Sequence, residues 1–330
     1  MTVSPTMAAP ISKRKTDFSR VLHQPLLGPL AALILAVIIF SVLSSRFLTP
    51  FNVSLILQQS IVVGILAVGQ TLIILTAGID LSIGATAVLG TIMLAKTVGT
   101  SGPVVALAAT LLICMAVGAI NGALVTAFKL PPFIVTLGTF TAVAAATQLF
   151  AGSTTYPTQP GVLSFLGTPI RAGGFNITVG VIALILVYAV TWYALTQTAG
   201  GKHIYAVGGS PTAARLAGIK TSRTLFSAYL LTGVIAAIAA WAALGRIPTA
   251  DPNAFQTANL DTITAVVIGG TSLFGGRGSV LGTLIGTLIV GVLRNGLTLI
   301  GVDNLYQNIA TGVLVIVAVA FDQFARRRTS

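Results

Sequence analysis

Long apolar runs separated by short polar intervals organise this chain. About 20 apolar residues suffice to cross a bilayer as a helix. Runs of that kind lie at roughly 26–45, 59–77, 83–100, 104–127, 132–152, 176–196, 225–245, 262–274, 280–300 and 305–321, with the eighth short. The pattern predicts an all-α, polytopic membrane protein of about ten transmembrane helices. The pair within 262–300 is open to a different drawing. Residues 1–24 are polar and show no small-residue cleavage site after a short apolar core, so the first run is expected to be a retained helix rather than a signal peptide. The expected organisation is a tail over 1–25, one membrane domain over 26–324 with a polar loop at 200–223, and a basic tail over 325–330.

That loop, GGKHIYAVGGSPTAARLAGIKTSR, is the longest polar interval with a helix signature. Ser210 can cap a helix, Pro211 sits at its first position, and Gly218 can close it in the left-handed conformation. The helix between them has about seven residues, too few to stand alone in water. It therefore needs a partner, and a short small-residue helix surrounded by Lys202, Arg215, Lys220 and Arg223 reads as a docking element for another protein. An ordinary surface loop is the plainer reading.

Composition agrees with the pattern. The 330 residues are 55% hydrophobic and 7% charged, with a mean hydropathy of +0.97, against about 25% charged in soluble domains. The net charge of +12 does not imply nucleic acid, because the basic residues sit at span ends. With the N-terminus inside, Lys13, Arg14, Lys15, Arg20, Lys129, Lys202, Arg215, Lys220, Arg223, Arg277 and Arg326 to Arg328 fall on the cytoplasmic side. Arg46, Lys96, Arg171 and Arg246 fall on the other side, and Arg294 falls inside a span. This asymmetry places both termini in the cytoplasm. Cys114 is the one cysteine, so neither a disulfide nor a multi-cysteine metal site forms within one chain.

The spans are rich in small residues, which lets helix backbones approach closely. Two polar breaks interrupt paired apolar segments: GIDLS at 78–82 and FGGRGS at 274–279. Aligning Gly78 with Gly275 also matches Ser82 with Ser279, which suggests an internal repeat. Gly78, Asp80, Ser82, Gly275, Gly276 and Arg277 are thus candidate gating residues. Asp80 is expected at a watery cytoplasmic edge, where it caps a helix, pairs with a base such as Arg277, contacts a partner or carries a proton. Pro131 and Pro132 open the span that carries Thr136 and Thr139. These threonines are candidates to line a hydrophilic path, with bonding to their own helix carbonyls as the bland alternative; Gln70 and Asn121 are further path candidates that face either a path or another helix. Gln148 is a further in-span polar group, and Arg294 either meets carbonyls or snorkels outward. No GxxxxGK[ST], HExxH, GxSxG or carboxylate pair is present, so the chain offers no catalytic constellation.

Five segments together resemble the permease subunits of bacterial ATP-binding-cassette sugar importers of the ribose, xylose and arabinose type. They are GQTLIILTAGIDLSIGA (69–85), GAINGALVT (118–126), PPFIVTLGT (131–139), GKHIYAVGGSPTAARLAGI (201–219) and ITAVVIGGTSLFGGRGSVLGTLIG (263–286). The match runs from about Leu48 to Asp322. The resemblance implies two pseudo-symmetric halves of the cobalamin-importer type and a location in the bacterial inner membrane. It implies partners: cytoplasmic ATPase subunits, a second permease subunit (most simply an identical one), an external sugar-binding protein and membrane lipid. It also implies that Gly208, Gly209, Ser210, Pro211, Ala213, Ala214, Arg215, Leu216 and Gly218 belong to the coupling helix that enters a cleft of the ATPase. No cofactor is expected in this chain, since Mg-ATP is held by the partner subunits, and the permease is not itself an enzyme. Two other readings stand beside this one: an ion-coupled secondary transporter, which would normally carry buried acids or histidines, and an importer permease for branched-chain amino acids.

Overall fold

A computed structural model describes residues 26–158 and 161–327. The expected tail at 1–25 and the last part of the basic tail, 328–330, lie outside the described residues. The apolar runs are helices: α1 (Leu27–Leu43), α2 (Pro50–Leu75), α3 (Ile83–Thr126), α4 (Pro132–Ala151), α5 (Val179–Gln197), α6 (Ala199–Gly209), α7 (Pro211–Leu216), α8 (Thr221–Arg246), α9 (Ala258–Ile268), α10 (Val280–Leu299) and α11 (Asn304–Arg327). Six of them, α2, α3, α4, α5, α8 and α10, are long and apolar enough to cross a membrane.

Each boundary that differs from the sequence reading has a local cause. α2 starts at Pro50 rather than near residue 59, because Thr49 caps it and proline occupies the first turn. The polar positions that hid this start are satisfied internally: Asn52 and Asn295 exchange side-chain amide hydrogen bonds at 2.9 Å, joining α2 to α10. The runs 83–100 and 104–127 are one element bent at Gly102, where φ is +81° and Pro103 follows. Its two arms fold back on each other, so that Thr110 Oγ1 reaches the Gly90 carbonyl. α9 ends at Ile268, leaving a longer break before α10 than FGGRGS alone.

The all-α expectation misses two small sheets. β1 (Tyr156–Pro157) pairs antiparallel with β4 (Thr249–Ala250), and β2 (Pro169–Ala172) pairs with β3 (Phe175–Thr178). Gly173 and Gly174, with φ of +55° and +84°, make the turn between β2 and β3. For this reason α5 begins at Val179 rather than at residue 176.

α2 is the centre of the bundle, with nearly every position from Ser60 to Leu75 buried. Its Ile61, Ile65, Leu66 and Leu72 share a core with Leu184, Tyr188 and the alanines of α8. The most extensive contact in the described chain is α3 against α8. Glycine makes that contact possible: a Cβ on Gly118 would overlap the Tyr229 carbonyl, and one on Gly233 would overlap that of Cys114. The same holds between α9 and α10, where Gly282 abuts the Gly269 carbonyl and Gly286 that of Ala265.

Candidate functional site

α7 forms as its sequence specifies. Ser210 is extended and its Oγ accepts a hydrogen bond from Ala213 N at 3.2 Å, with Pro211 in the first turn. At the far end Gly218 N–H donates to Arg215 O and Ile219 N–H to Ala214 O, both at 3.0 Å, while Gly218 has φ +84°. This is a Schellman closure. The helix spans Pro211–Leu216, six residues, with Ala217 as its C-cap. Ala214, only 4% exposed, and the buried Gly208 face their own chain, so neither lies on an outer docking surface. Pro211, Thr212, Ala213 and Arg215 are exposed, and so is Leu216, at 86%.

Behind α7, three segments far apart in sequence meet through their backbones. Gly208, near the end of α6, lies so close to the Leu75 carbonyl that a Cβ would overlap it and sit 2.7 Å from Gly276 N. A Cβ on Gly276 would be 2.6 Å from Gly209 Cα, and one on Gly275 would be 2.7 Å from Ala77 N. Gly276 N–H donates to Leu75 O at 2.9 Å, and the Tyr205 hydroxyl donates to Gly278 O at 3.0 Å. Burial raises the Tyr205 phenol above its ordinary value, which keeps it a donor. Gly208→Ala is therefore expected to lower the melting temperature of the purified protein, at a cost of about 1–3 kcal/mol. Gly209→Ala, whose Cβ would meet nothing within 4 Å, should leave melting unchanged or slightly higher.

The two breaks correspond, but not by their leading glycines. α2 and α9 end in the same turn: Ala77 N–H donates to Ile74 O and Gly78 N–H to Ile73 O, as Gly270 N–H does to Val267 O and Thr271 N–H to Val266 O. Ala77 and Gly270 hold the left-handed position, with φ of +63° and +86°. Gly78 thus matches Thr271 rather than Gly275, while Ser82 and Ser279 still match as the residues that precede α3 and α10. The second break is longer, and its extra length carries Gly275 and Gly276, which reach the α6–α7 corner.

Asp80 is not at a watery edge and is not paired with Arg277. It is 2% exposed, and its Oδ1 accepts from Ser82 N at 2.8 Å and from Ser82 Oγ at 2.6 Å. Asn121 Nδ2 donates to Ser82 Oγ at 2.8 Å, Thr139 Oγ1 to Asn121 Oδ1 at 2.6 Å, and Thr136 Oγ1 to Ile79 O at 2.9 Å. The GIDLS turn therefore dips into the bundle and is held there by the very groups expected to line a path. The free space beside them is about 10 Å³, at most one water and far too small for a sugar. Gln70 is fully buried as well, and among the described residues neither of its amide atoms has a partner.

The charge inside α10 is met by an acid rather than by carbonyls, and it stays partly exposed. Arg294 Nη2 donates to Asp261 Oδ1 at 2.6 Å and to Thr257 Oγ1 at 3.0 Å. Among the described residues this is the one ion pair, with side-chain exposures of 34% for Arg294 and 2% for Asp261. The sequence carried a signal for it, since a lone cation inside a span requires an acid. The pair borders a hollow of about 500 Å³, which Gln59, Arg246, Asn253 and Gln307 also line. Gln148, outside the hollow, donates to Asn253 at 2.7 Å.

Residues 52–319 match the family model described as branched-chain amino acid transport system / permease component. The chain is 45% identical over 325 residues to the fructose import permease protein FrcC of Rhizobium meliloti, covering 95% of this chain and 90% of that one. It is 39% identical over 319 residues to the ribose import permease protein RbsC of Bacillus subtilis, covering 94% and 96%. It is 34% identical over 314 residues to the galactose/methyl galactoside import permease protein MglC of Escherichia coli, covering 89% and 93%. No solved structure matches.

Proposed function

The chain belongs to the branched-chain amino acid transport system / permease component family, and on that premise we propose that it is the membrane-spanning subunit of an ATP-binding-cassette importer for a monosaccharide. The observation that carries this reading is α7: a six-residue helix, capped at both ends, with Leu216 outermost, braced from behind by Gly208 against Leu75 and Gly276. Force applied to α7 by a moving ATPase reaches α2 and the α9–α10 break directly through backbone contacts. Mg-ATP is held and hydrolysed by those partner subunits; this chain contributes the path. We assign α7 to the cytoplasmic side, both termini with it, on the distribution of Lys and Arg.

Beyond the six helices long enough to cross a membrane, we propose that the two arms of α3 cross separately and that the shorter helices complete about ten spans, an arrangement of the cobalamin-importer type. A second copy of the chain completes the path, and an external sugar-binding protein feeds it from the face opposite α7. The relatives carry fructose, ribose or galactosides by name, which favours sugar over a branched-chain amino acid despite the family description. The test is reconstitution with the ATPase and a sugar receptor in liposomes. Hydrolysis of ATP stimulated by sugar-loaded receptor, with accumulation of that sugar, is the expected result. Stimulation by a leucine-loaded receptor alone would transfer the assignment to the amino-acid branch, and ATP-independent uptake driven by an ion gradient would overturn it.

A further inference from the structure

The hollow beside the Arg294–Asp261 pair lies on the side of the bundle away from α7. α8 leaves the α7 corner at Thr221 and ends at Arg246, roughly 38 Å away at about 1.5 Å per residue; Arg246 lines the hollow. Its walls come from α2, the end of α8, the 251–257 loop, α9, α10 and α11, so six separate segments converge on it. A volume of about 500 Å³ is within the range of small-molecule sites, about 300–1,000 Å³.

Its chemistry is selective. Gln59, Asn253, Gln256 and Asn308 are side-chain amides, each offering donors and an acceptor, as a hydroxyl does. The single acid lining it, Asp261, is engaged by Arg294 and by Thr257 Oγ1 at 3.2 Å. The Arg294 guanidinium uses only Nη2 in this contact, and its Nε is buried without an acceptor. With Arg246 also in the lining, two guanidiniums face one carboxylate, and their spare donors together with the amides suit a ligand rich in oxygen acceptors, such as the hydroxyls of a monosaccharide. The hollow does not suit a cation, because the acid is already neutralised, nor the side chain of leucine, which would leave the amides unpaired. Phe255 adds an apolar surface to the wall, for the C–H face of a sugar ring. It is held at φ +56°, a conformation a bulky residue adopts only where its surroundings impose it.

We propose that this hollow is a monosaccharide-binding subsite within the permease itself, on the receptor side of the path. The proposal rests on the sugar-import reading and adds that the membrane subunit contacts its cargo directly, through Gln59, Arg246, Asn253, Phe255, Gln256 and Arg294. Sugar held there after leaving the receptor would be poised over the inner half of the bundle.

The test uses cysteine labelling of the permease–ATPase complex in nanodiscs without receptor, with D-fructose and D-ribose as probes. Cys114 is fully buried and gives little background. Val63→Cys is made in the wall of the hollow, with Thr298→Cys as a second hollow position should the first fail to fold. Ser101→Cys, exposed at the bend of α3, is the control. At about ten times its dissociation constant, a bound sugar slows modification about tenfold, because only the empty fraction reacts. The expected result is slowing at 63 and 298 and none at 101. Absence of slowing at both hollow positions, in a complex that imports the same sugar from its receptor, overturns the subsite and leaves the import function standing. Equal slowing at 101, or protection by leucine instead of sugar, also overturns it. Failure of the wild-type complex to import any sugar counts against the underlying function instead.

Discussion

Leu216→Glu is expected to abolish co-purification of the permease with its ATPase while leaving the permease folded and inserted. Leu216 is 86% exposed and contributes to no apolar cluster of its own chain, so the substitution should not touch the fold. In a complex, however, it places a charge where the partner supplies a cleft. Losing an apolar anchor at the centre of an interface costs about 2–4 kcal/mol, and burying an unpaired carboxylate adds to that. A loss of about 30-fold to 1,000-fold in affinity follows, readable as loss of the ATPase band in affinity purification and loss of uptake. Ala214→Glu serves as contrast. Ala214 is buried under the helix, so the charge unseats α7 from its own chain, and protease sensitivity of the 200–223 loop should rise even without ATPase. Retained ATPase binding by the Leu216→Glu protein would remove α7 from the docking surface.

Arg294→Met is expected to destabilise the protein far more than Asp261→Asn, although both break the same pair. The reason is unequal burial. Arg294→Met leaves Asp261, 2% exposed, with a charge that only Thr257 contacts; stranding a buried charge costs about 3–5 kcal/mol. Asp261→Asn leaves a guanidinium that is 34% exposed and bordered by the hollow, where water can reach it, and the cost falls to about 1 kcal/mol. The double variant, lacking both charges, should melt nearer the wild type than Arg294→Met does, as expected when two residues act on each other. Melting temperatures of the three purified variants decide it. Equal destabilisation by the two single changes would mean that the hollow is dry.

What could be read from the sequence was what is local. The Ser210-Pro211 start and Gly218 stop of α7 depend on residues within one turn, and they form as written. Helix existence followed from apolar runs, and the resemblance carried by five segments led to the family. Features that depend on distant parts of the chain were harder to reach. The start of α2 was hidden because Asn52 is polar, and only Asn295, far along the chain, makes its burial acceptable. Asp80 caps the start of α3 through Ser82, one of the roles its position offered. Its burial was missed because a charge count says nothing of how neighbouring helices cover a turn. For Asn121 and Thr139 the plainer alternatives hold: Thr139 bonds the Val135 carbonyl of its own helix and Asn121 of the neighbouring one, and Asn121 also bonds Ser82. The hollow could not be seen at all, since its walls come from six separated segments, although the unmatched charge of Arg294 was a sign that something polar lay there.

The glycine contacts of α3 with α8 and of α9 with α10 bear on how such a molecule can change shape. Helices whose backbones touch have no side-chain layer to slide on, so any rotation of one against the other drives carbonyl into Cα. Each pair is in effect a solid beam. Alternation between two orientations then has to be accommodated at joints, and left-handed residues crowd there: Ala77, Gly270, Gly275 and Gly276 all lie in the two breaks that brace α7. The chain is built as stiff levers meeting at one fulcrum, and the fulcrum sits where the motor would push.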